Sequence, residues 1–223
     1  MHIGLIGGIG PAATDYYYRG LIRALAGTEY SLDMTIAHAD SGTLIGNLGD
    51  NNVDAQTNVF LKLIDRLVAA GIDCVAVTSI AGHFCIETVI QKSPISVINL
   101  IATVDTEIQK LRLSRVGLLG TKTVMDSQFY GGLSSVDVVV PKGEDLVNVH
   151  NDYVAMAMGM AATESHRETF LRAGLQMSKE QGAEAVLLAG TDLFLAFNGQ
   201  SCDFNVIDCA EIHIAALAEQ AKI

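Results

Sequence analysis

The sequence predicts an α/β chain built on parallel sheets, and three observations carry that prediction. The first is the stretch Asp73-Cys74-Val75-Ala76-Val77-Thr78-Ser79-Ile80-Ala81-Gly82-His83, which runs apolar after Gly71 and breaks into small and hydroxyl residues before a helical pattern. An apolar run of that length, bounded in this way, reads as a buried parallel strand feeding a helix N-terminus. A second copy of the arrangement follows Gly182, in Ala183-Glu184-Ala185-Val186-Leu187-Leu188-Ala189-Gly190-Thr191-Asp192. The third observation is the repeated alternation of strand and helix patterns along the whole chain, which gives parallel sheets covered by helices. Ligands of open α/β sheets sit outside the carboxyl ends of the strands, so two such ends suggest a site assembled from two related halves.

The strands and helices can be placed in order. His2 to Gly7 is a short apolar strand that ends in Gly7-Gly8-Ile9-Gly10-Pro11, with a helix from Pro11 to about Ala26. Proline suits the first helical position, where its missing N–H would be an orphan in any case. Gly8, Gly10 and Ala13 also fit a loose G-x-G-x-x-A pattern, which raises a dinucleotide-binding reading. That fingerprint wants an acidic residue about 20 residues on, and the first candidate, Asp40, lies 32 residues past Gly8. Leu32 to Ala39 is the second strand. Asp40 to Asn52, rich in Gly, Asn and Asp, reads as a loop, either a binding lid or a surface connection. Apolar residues at helical spacing (Phe60, Leu63, Ile64, Leu67, Val68) make Val53 to Ala70 a helix that covers one sheet face. The Asp73 strand follows, then a helix from His83, a strand Ile95 to Leu100 and a helix to Leu113.

Arg115 to Gly120 opens a second series. It continues through Gly120-Thr121-Lys122-Thr123, a helix near Asp126 to Leu133, a strand Val136 to Val140, and helices at 144 to 161 and 164 to 181. After the second organising strand come a loop with Asn198-Gly199, a short strand Asn205 to Ile207 and a last helix from Asp208 to Ala221.

Composition narrows the function classes. Half of the 223 residues are hydrophobic and 17% are charged, ample for a buried core and too apolar for disorder. A net charge of −11 and the absence of any basic stripe exclude a phosphate-backbone partner, which needs clustered Lys and Arg. No stretch approaches the ~20 apolar residues of a membrane span, and Met1 to Gly7 lacks a basic leader, so a cytoplasmic protein without membrane contact is expected. Cys74, Cys85, Cys202 and Cys209 show no C-x-x-C spacing, so neither a zinc site nor a disulfide framework is indicated. Cys74 and Cys85 read as core residues.

Gly7-Gly8-Ile9-Gly10-Pro11 with Tyr16-Tyr17-Tyr18-Arg19, Gly117-Leu118-Leu119-Gly120-Thr121-Lys122-Thr123, and the two organising strands occur in this order almost end to end. Together they resemble the aspartate/glutamate racemase family, within the Asp/Glu/hydantoin racemase superfamily. The resemblance implies two similar Rossmann-like α/β domains related by a pseudo-twofold axis, with the site in the interdomain cleft. It assigns residues 1–100 plus 206–223 to the first domain and 101–205 to the second. It further implies a homodimer, an amino-acid or small-carboxylate ligand, and catalysis without pyridoxal phosphate or a metal.

In that family one cysteine per domain works on each face of the substrate's α-carbon, in motifs like Cys-Asn-Thr-Ala-His and Gly-Cys-Thr-Glu. Here the corresponding residues are Ser79-Ile80-Ala81-Gly82-His83 and Ala189-Gly190-Thr191-Asp192, so both thiols are absent. A positioned acid or base contributes about 10²- to 10⁴-fold, and loss of two costs on the order of 5 to 11 kcal/mol of barrier lowering. A serine hydroxyl is a far poorer base than a thiolate unless a neighbour activates it.

The resemblance carries residue roles with it, and each has a plainer reading beside it. Ser79 is either a catalytic group activated by His83, one turn on, or an N-cap. His83 either titrates in the site or packs. Asp192, in place of Glu, is a site acid or a carboxylate favoured by a helix N-terminus. Thr121, Thr123 and Thr191 match hydroxyls that bind substrate, while Ile80, Ala81 and Gly190 offer only backbone. Gly8 and Gly10 mark a helix N-terminus able to cradle an anion, and Asp40, at the end of the second strand, is expected to line the cleft. Cys202 replaces a lost thiol only if its loop reaches the cleft, and Lys122 is either a site cation or solvated. Asp208 and His213 match the family's closing Asp and His pattern, behind the residues that touch substrate.

The leading reading is therefore a cofactor-independent isomerase acting at the α-carbon of an amino acid or small carboxylate, with Ser79, His83 and Asp192 standing in for the thiols. Its rivals are a catalytically silent carboxylate-binding protein and a lyase or decarboxylase on the same fold. Family relatives of the lyase kind keep a single cysteine, and this chain keeps neither.

Overall fold

The computed structural model describes residues 1–222 and divides the chain into two compact units, Met1–Thr103 with the segment from Ala210 onward, and Val104–Cys209. The first unit contains β1 (His2–Gly7), α1 (Pro11–Leu25), β2 (Asp33–His38), α2 (Ser41–Gly49), α3 (Val53–Ala69), β3 (Cys74–Val77), a 3₁₀ turn (Ala81–Cys85), α4 (Ile86–Lys92) and β4 (Ser96–Val97). α5 (Leu100–Leu111) leads into the second unit. There β5 (Arg115–Gly120), α6 (Lys122–Asp126), a 3₁₀ turn (Phe129–Gly131), β6 (Asp137–Val139), α7 (Glu144–Gly159), α8 (Glu164–Gln181), β7 (Ala185–Ala189), α9 (Phe194–Phe197) and β8 (Val206–Asp208) follow. α10 (Cys209–Ala221) carries the chain back to the first unit.

Each unit holds a four-stranded sheet of parallel strands, ordered β2-β1-β3-β4 in the first and β6-β5-β7-β8 in the second. One topology is thus used twice. Every residue of β3 and β7 is buried, as strands covered by helices on both faces must be, and β1 and β5 beside them are buried after their first residue. The register sets Ile6 opposite Val77 and Gly120 opposite Ala189, so the carboxyl ends of paired central strands lie level.

Packing in the first unit depends on both parts of its chain. Ile3 and Leu5 of β1, Tyr17 and Leu21 of α1, and Ile214, Leu217 and Ala218 of α10 form one apolar cluster. At ~25 cal/mol per Å² of apolar surface, burying a Leu or Ile side chain is worth about 1.5–3 kcal/mol.

The structure departs from the sequence reading in several stretches. Asp40 to Asn52 is not a loop, because α2 fills it: the Asp40 carboxylate accepts from the Thr43 N–H at 2.7 Å, and that cap starts a helix through three glycines. The helix expected near Asp126 to Leu133 starts and ends earlier. Gln128, Phe129 and Tyr130 take φ of 50°, 62° and 57°, a left-handed turn closed by Gly131. Non-glycine residues there cost roughly 1–2 kcal/mol each; the turn is held by the fully buried Phe129 ring and by the Tyr130 N–H, which donates to Ser127 Oγ at 3.0 Å. Phe194–Phe197 forms a short helix where a loop was expected. Val206–Asp208 hydrogen-bonds with β7, so the chain leaves the second unit at 210 rather than at 206.

Candidate functional site

In the first unit the site residues stand at the carboxyl ends of β1 and β3. β1 ends at Gly7, and Gly8 turns the chain with φ 95°, a conformation that suits glycine. The Gly8 N–H donates to Thr14 Oγ1 at 2.9 Å, so this donor is committed inside the protein and does not await an anion. Thr14 in turn lies 3.4 Å from the Thr78 hydroxyl, which donates to the Ile6 carbonyl at 3.2 Å. A ladder of hydroxyls therefore ties the β1–α1 turn to the end of β3. Thr14→Val keeps the shape, removes the acceptor, and is expected to cost about 1–3 kcal/mol. That would lower the melting temperature by several degrees in a protein of this size, and an unchanged melting temperature would mean that water replaces the hydroxyl at no cost. Beside Gly8 a groove of about 340 Å³ opens between Pro11, Asp15 and Tyr18 of α1 and Ile36 and His38 of β2.

Ser79 and His83 follow directly. Ser79 is 5% exposed and His83 2%. Ser79 does not cap a helix, since the 3₁₀ turn is preceded by Ile80 and has no side-chain cap. The two residues meet, but through the Ser79 backbone carbonyl and not through its hydroxyl. His83 Nδ1 bonds the Ser79 backbone carbonyl at 2.7 Å, and because a carbonyl only accepts, Nδ1 carries the proton. Nε2 is then a bare acceptor, buried and without a partner. Burial pushes the His83 pKa down to about 4, only partly opposed by the bond to Ser79, so the ring is neutral at physiological pH. Ile80 is buried, and its carbonyl accepts from the His83 N–H at 2.9 Å. Ala81 is half-buried beside it.

His213 lies behind these residues, fully buried on α10. Its Nε2–H donates to the Ile98 carbonyl and its Nδ1 accepts from the Tyr17 hydroxyl, both at 2.9 Å. Burial, then the nearby His83, takes its pKa down to about 3.

The second unit presents the corresponding ends of β5 and β7. Thr121 caps α6 by accepting from the Val124 N–H at 3.3 Å, and Thr123, two residues along, is exposed. Gly190, Thr191 and Asp192 form the turn after β7, with Thr191 1% and Asp192 3% exposed. The Thr191 hydroxyl is buried without a partner. Asp192 accepts from the Tyr153 hydroxyl at 3.3 Å. Burial, followed by the charge of Asp192, raises the Tyr153 pKa well above its ordinary value. A Cβ added to Gly190 would lie 2.4 Å from Tyr153 Cε2 and 2.9 Å from its hydroxyl oxygen, so the phenol fills the space of a side chain at 190.

The remaining candidates take plainer positions. Asp40 is exposed and occupied as a cap, its Oδ2 receiving both the N–H and the hydroxyl of Thr43 at 2.7 Å. Gly10 precedes α1 with φ 83°. Lys122 pairs with Asp126. Cys74, Cys85 and Cys209 are buried; burial lifts the Cys85 thiol to about 11, and Cys202 is half-buried in its loop with its pKa also raised. Among the described residues no cluster of three metal-ligating side chains occurs, and no helix is long and apolar enough to cross a membrane. Sequence reading missed Thr14, Thr78 and Tyr153. Thr14 was signalled by its place one helical turn after Gly10, whereas Tyr153 shares the buried face of α7 with Val149 and Met156 and reads as core.

An aspartate racemase homologue from Pyrococcus horikoshii superposes with a TM-score of 0.84 at 27% identity, covering 100% of this chain and 99% of that one. The Picrophilus torridus aspartate racemase gives 0.82 at 22% identity over 100% and 95% of the two chains. A glutamate racemase from Francisella tularensis, in complex with D-glutamate, gives 0.67 at 15% identity over 98% and 80%. The latter two likenesses are of fold alone: two α/β domains, each with a parallel sheet. The family model described as Asp/Glu/Hydantoin racemase matches residues 6–217, and the chain belongs to that family.

Proposed function

We propose that the protein is a cofactor-independent isomerase that inverts the α-carbon of an amino acid, acting as a homodimer. The observation that carries this reading is that the carboxyl end of each central strand bears buried polar groups with bonding capacity left over. His83 Nε2 and Thr191 Oγ1 both lack partners. A buried polar group left unpaired costs about 1–3 kcal/mol, a cost that a bound ligand would offset. On this reading Ser79, with His83 fixed against its carbonyl, supplies the base of the first unit, and Asp192 belongs to the acid of the second. Gly10, Ile80, Ala81, Thr121, Thr123, Gly190 and Thr191 are the substrate-binding candidates, mostly through backbone and hydroxyl groups suited to a carboxylate, whereas the Gly8 N–H and the Asp40 carboxylate are already taken within the protein.

The test is α-proton exchange. L- and D-amino acids incubated with the protein in heavy water are followed by NMR, and loss of one amino acid's α-proton signal together with appearance of its enantiomer is the expected result. A protein that is folded yet exchanges no α-proton on any amino acid defeats the reading.

One observation favours a second reading, a carboxylate-binding protein without turnover. His83 Nδ1 is bonded to the Ser79 carbonyl and Nε2 is without a partner, so the imidazole does not activate the Ser79 hydroxyl. A rise in melting temperature with an amino or dicarboxylic acid, and no exchange, would be its signature.

A further inference from the structure

We propose that Tyr153 is the proton donor of the second unit, its phenol standing where a side chain at position 190 would stand. This rests on the isomerase reading and deepens it, naming a group for the unit that lacks a thiol. Glycine at 190 leaves a space, and the Tyr153 ring edge and hydroxyl occupy it, 2.4 to 2.9 Å from the position a Cβ would take. The ring is 7% exposed, so its place is fixed by packing rather than by solvent. Its hydroxyl donates to Asp192 Oδ2, and the Asp192 backbone N–H points to the same phenol oxygen. Asp192 is then a positioning residue, which holds the phenol in place, and the O–H must turn from Asp192 Oδ2 toward the substrate for the transfer.

Other hydroxyls of the unit serve less well. Thr121 is engaged as a helix cap, Thr123 is exposed, and the Thr191 hydroxyl is an aliphatic alcohol, a much weaker acid than a phenol. Burial and the neighbouring carboxylate keep Tyr153 protonated at neutral pH, which is the state a donor needs.

The step balances without redox chemistry. Removal of the α-proton by the base leaves the C–H electron pair on the α-carbon, delocalised into the substrate carboxylate. That pair takes the phenol proton: the Tyr153 O–H bond breaks, a C–H bond forms, and the O–H electron pair stays on the phenolate oxygen, facing the Asp192 N–H. The phenolate recovers a proton from water, and the base releases its own to water.

The experiment measures interconversion of L- and D-amino acids by wild type, Tyr153→Phe and Gly190→Ala, with melting temperatures alongside. Tyr153→Phe keeps the ring and removes only the donor. It is expected to lower kcat by about 10²- to 10⁴-fold with KM within a few-fold. Gly190→Ala must push the ring from its place and is expected to lose turnover as well; if the phenylalanine variant does not fold, this variant decides. Wild-type turnover retained within about threefold in the folded variant overturns the assignment and leaves the isomerase reading standing. A wild-type protein that exchanges no α-proton overturns both.

Discussion

Acidification from pH 7 to pH 5 is expected to lower the melting temperature by roughly 8 to 16 °C, because two fully buried histidines cannot take up protons in the folded state. His83 and His213 have folded pKa values of about 4 and about 3, against an ordinary 6.5. Both are depressed, so the unfolded chain binds protons that the folded one refuses. Stability is fully present above 6.5 and is lost as the pH falls from 6.5 toward the folded values. Each histidine contributes about 1.36 kcal/mol per pH unit inside that window, so the pair removes roughly 4 kcal/mol by pH 5. Natural domains hold only about 5–15 kcal/mol in reserve. His213→Gln, which keeps an amide near Tyr17 and Ile98, should halve the slope whatever it does to the baseline. An unchanged slope in that variant would show that other groups drive acid unfolding.

Gly120→Ala should be the most damaging single-methyl change at the head of the second sheet. A Cβ there would lie 2.5 Å from the carbonyl oxygen of Ala189 and 3.1 Å from its carbon. Both atoms are backbone of the strand paired in register with Gly120, so relief requires β5 and β7 to separate. Overpacking of this kind costs about 1–3 kcal/mol and more when backbone must move, equivalent to a drop of roughly 2 to 12 °C here. It also shifts the turn that carries Gly190, Thr191 and Asp192, so ligand effects should fall with stability. Gly46→Ala is the control. Position 46 lies inside α2 with nothing within 4 Å of the added carbon, and alanine there should stabilise by about 0.5–1 kcal/mol. Equal melting temperatures for the 120 and 46 variants would refute the steric argument.

Much of the architecture was legible because β3 and β7 are fully buried, and full burial writes the unbroken apolar runs Cys74–Val77 and Ala185–Ala189 into the sequence. What escaped depends on single side chains. Ser41–Gly49 holds three glycines and reads as a loop, yet one carboxylate at Asp40 starts it as a helix. Nothing in Gln128-Phe129-Tyr130 announces a left-handed turn, since it is imposed by the burial of Phe129. In the site, the spacing of Ser79 and His83 predicted that they meet, but spacing cannot say which atom of serine receives the imidazole. Tyr153 carried no local signal, for its meaning comes from the emptiness of Gly190, 37 residues away.

The route of the chain has a consequence for its synthesis. The apolar faces of Tyr17 and Leu21 on α1 are covered by Ile214 and Leu217 of α10, which are translated after the whole of Val104–Cys209. At typical elongation rates that interval lasts roughly 5 to 20 seconds. For that time the first half stands with its core open on one side, and by the end of it, before α10 is made, the second unit has every strand of its own sheet. The nascent chain therefore acquires its two halves in the reverse of their order of appearance, and the early α1 surface is where a ribosome-associated chaperone would find its longest-lived target.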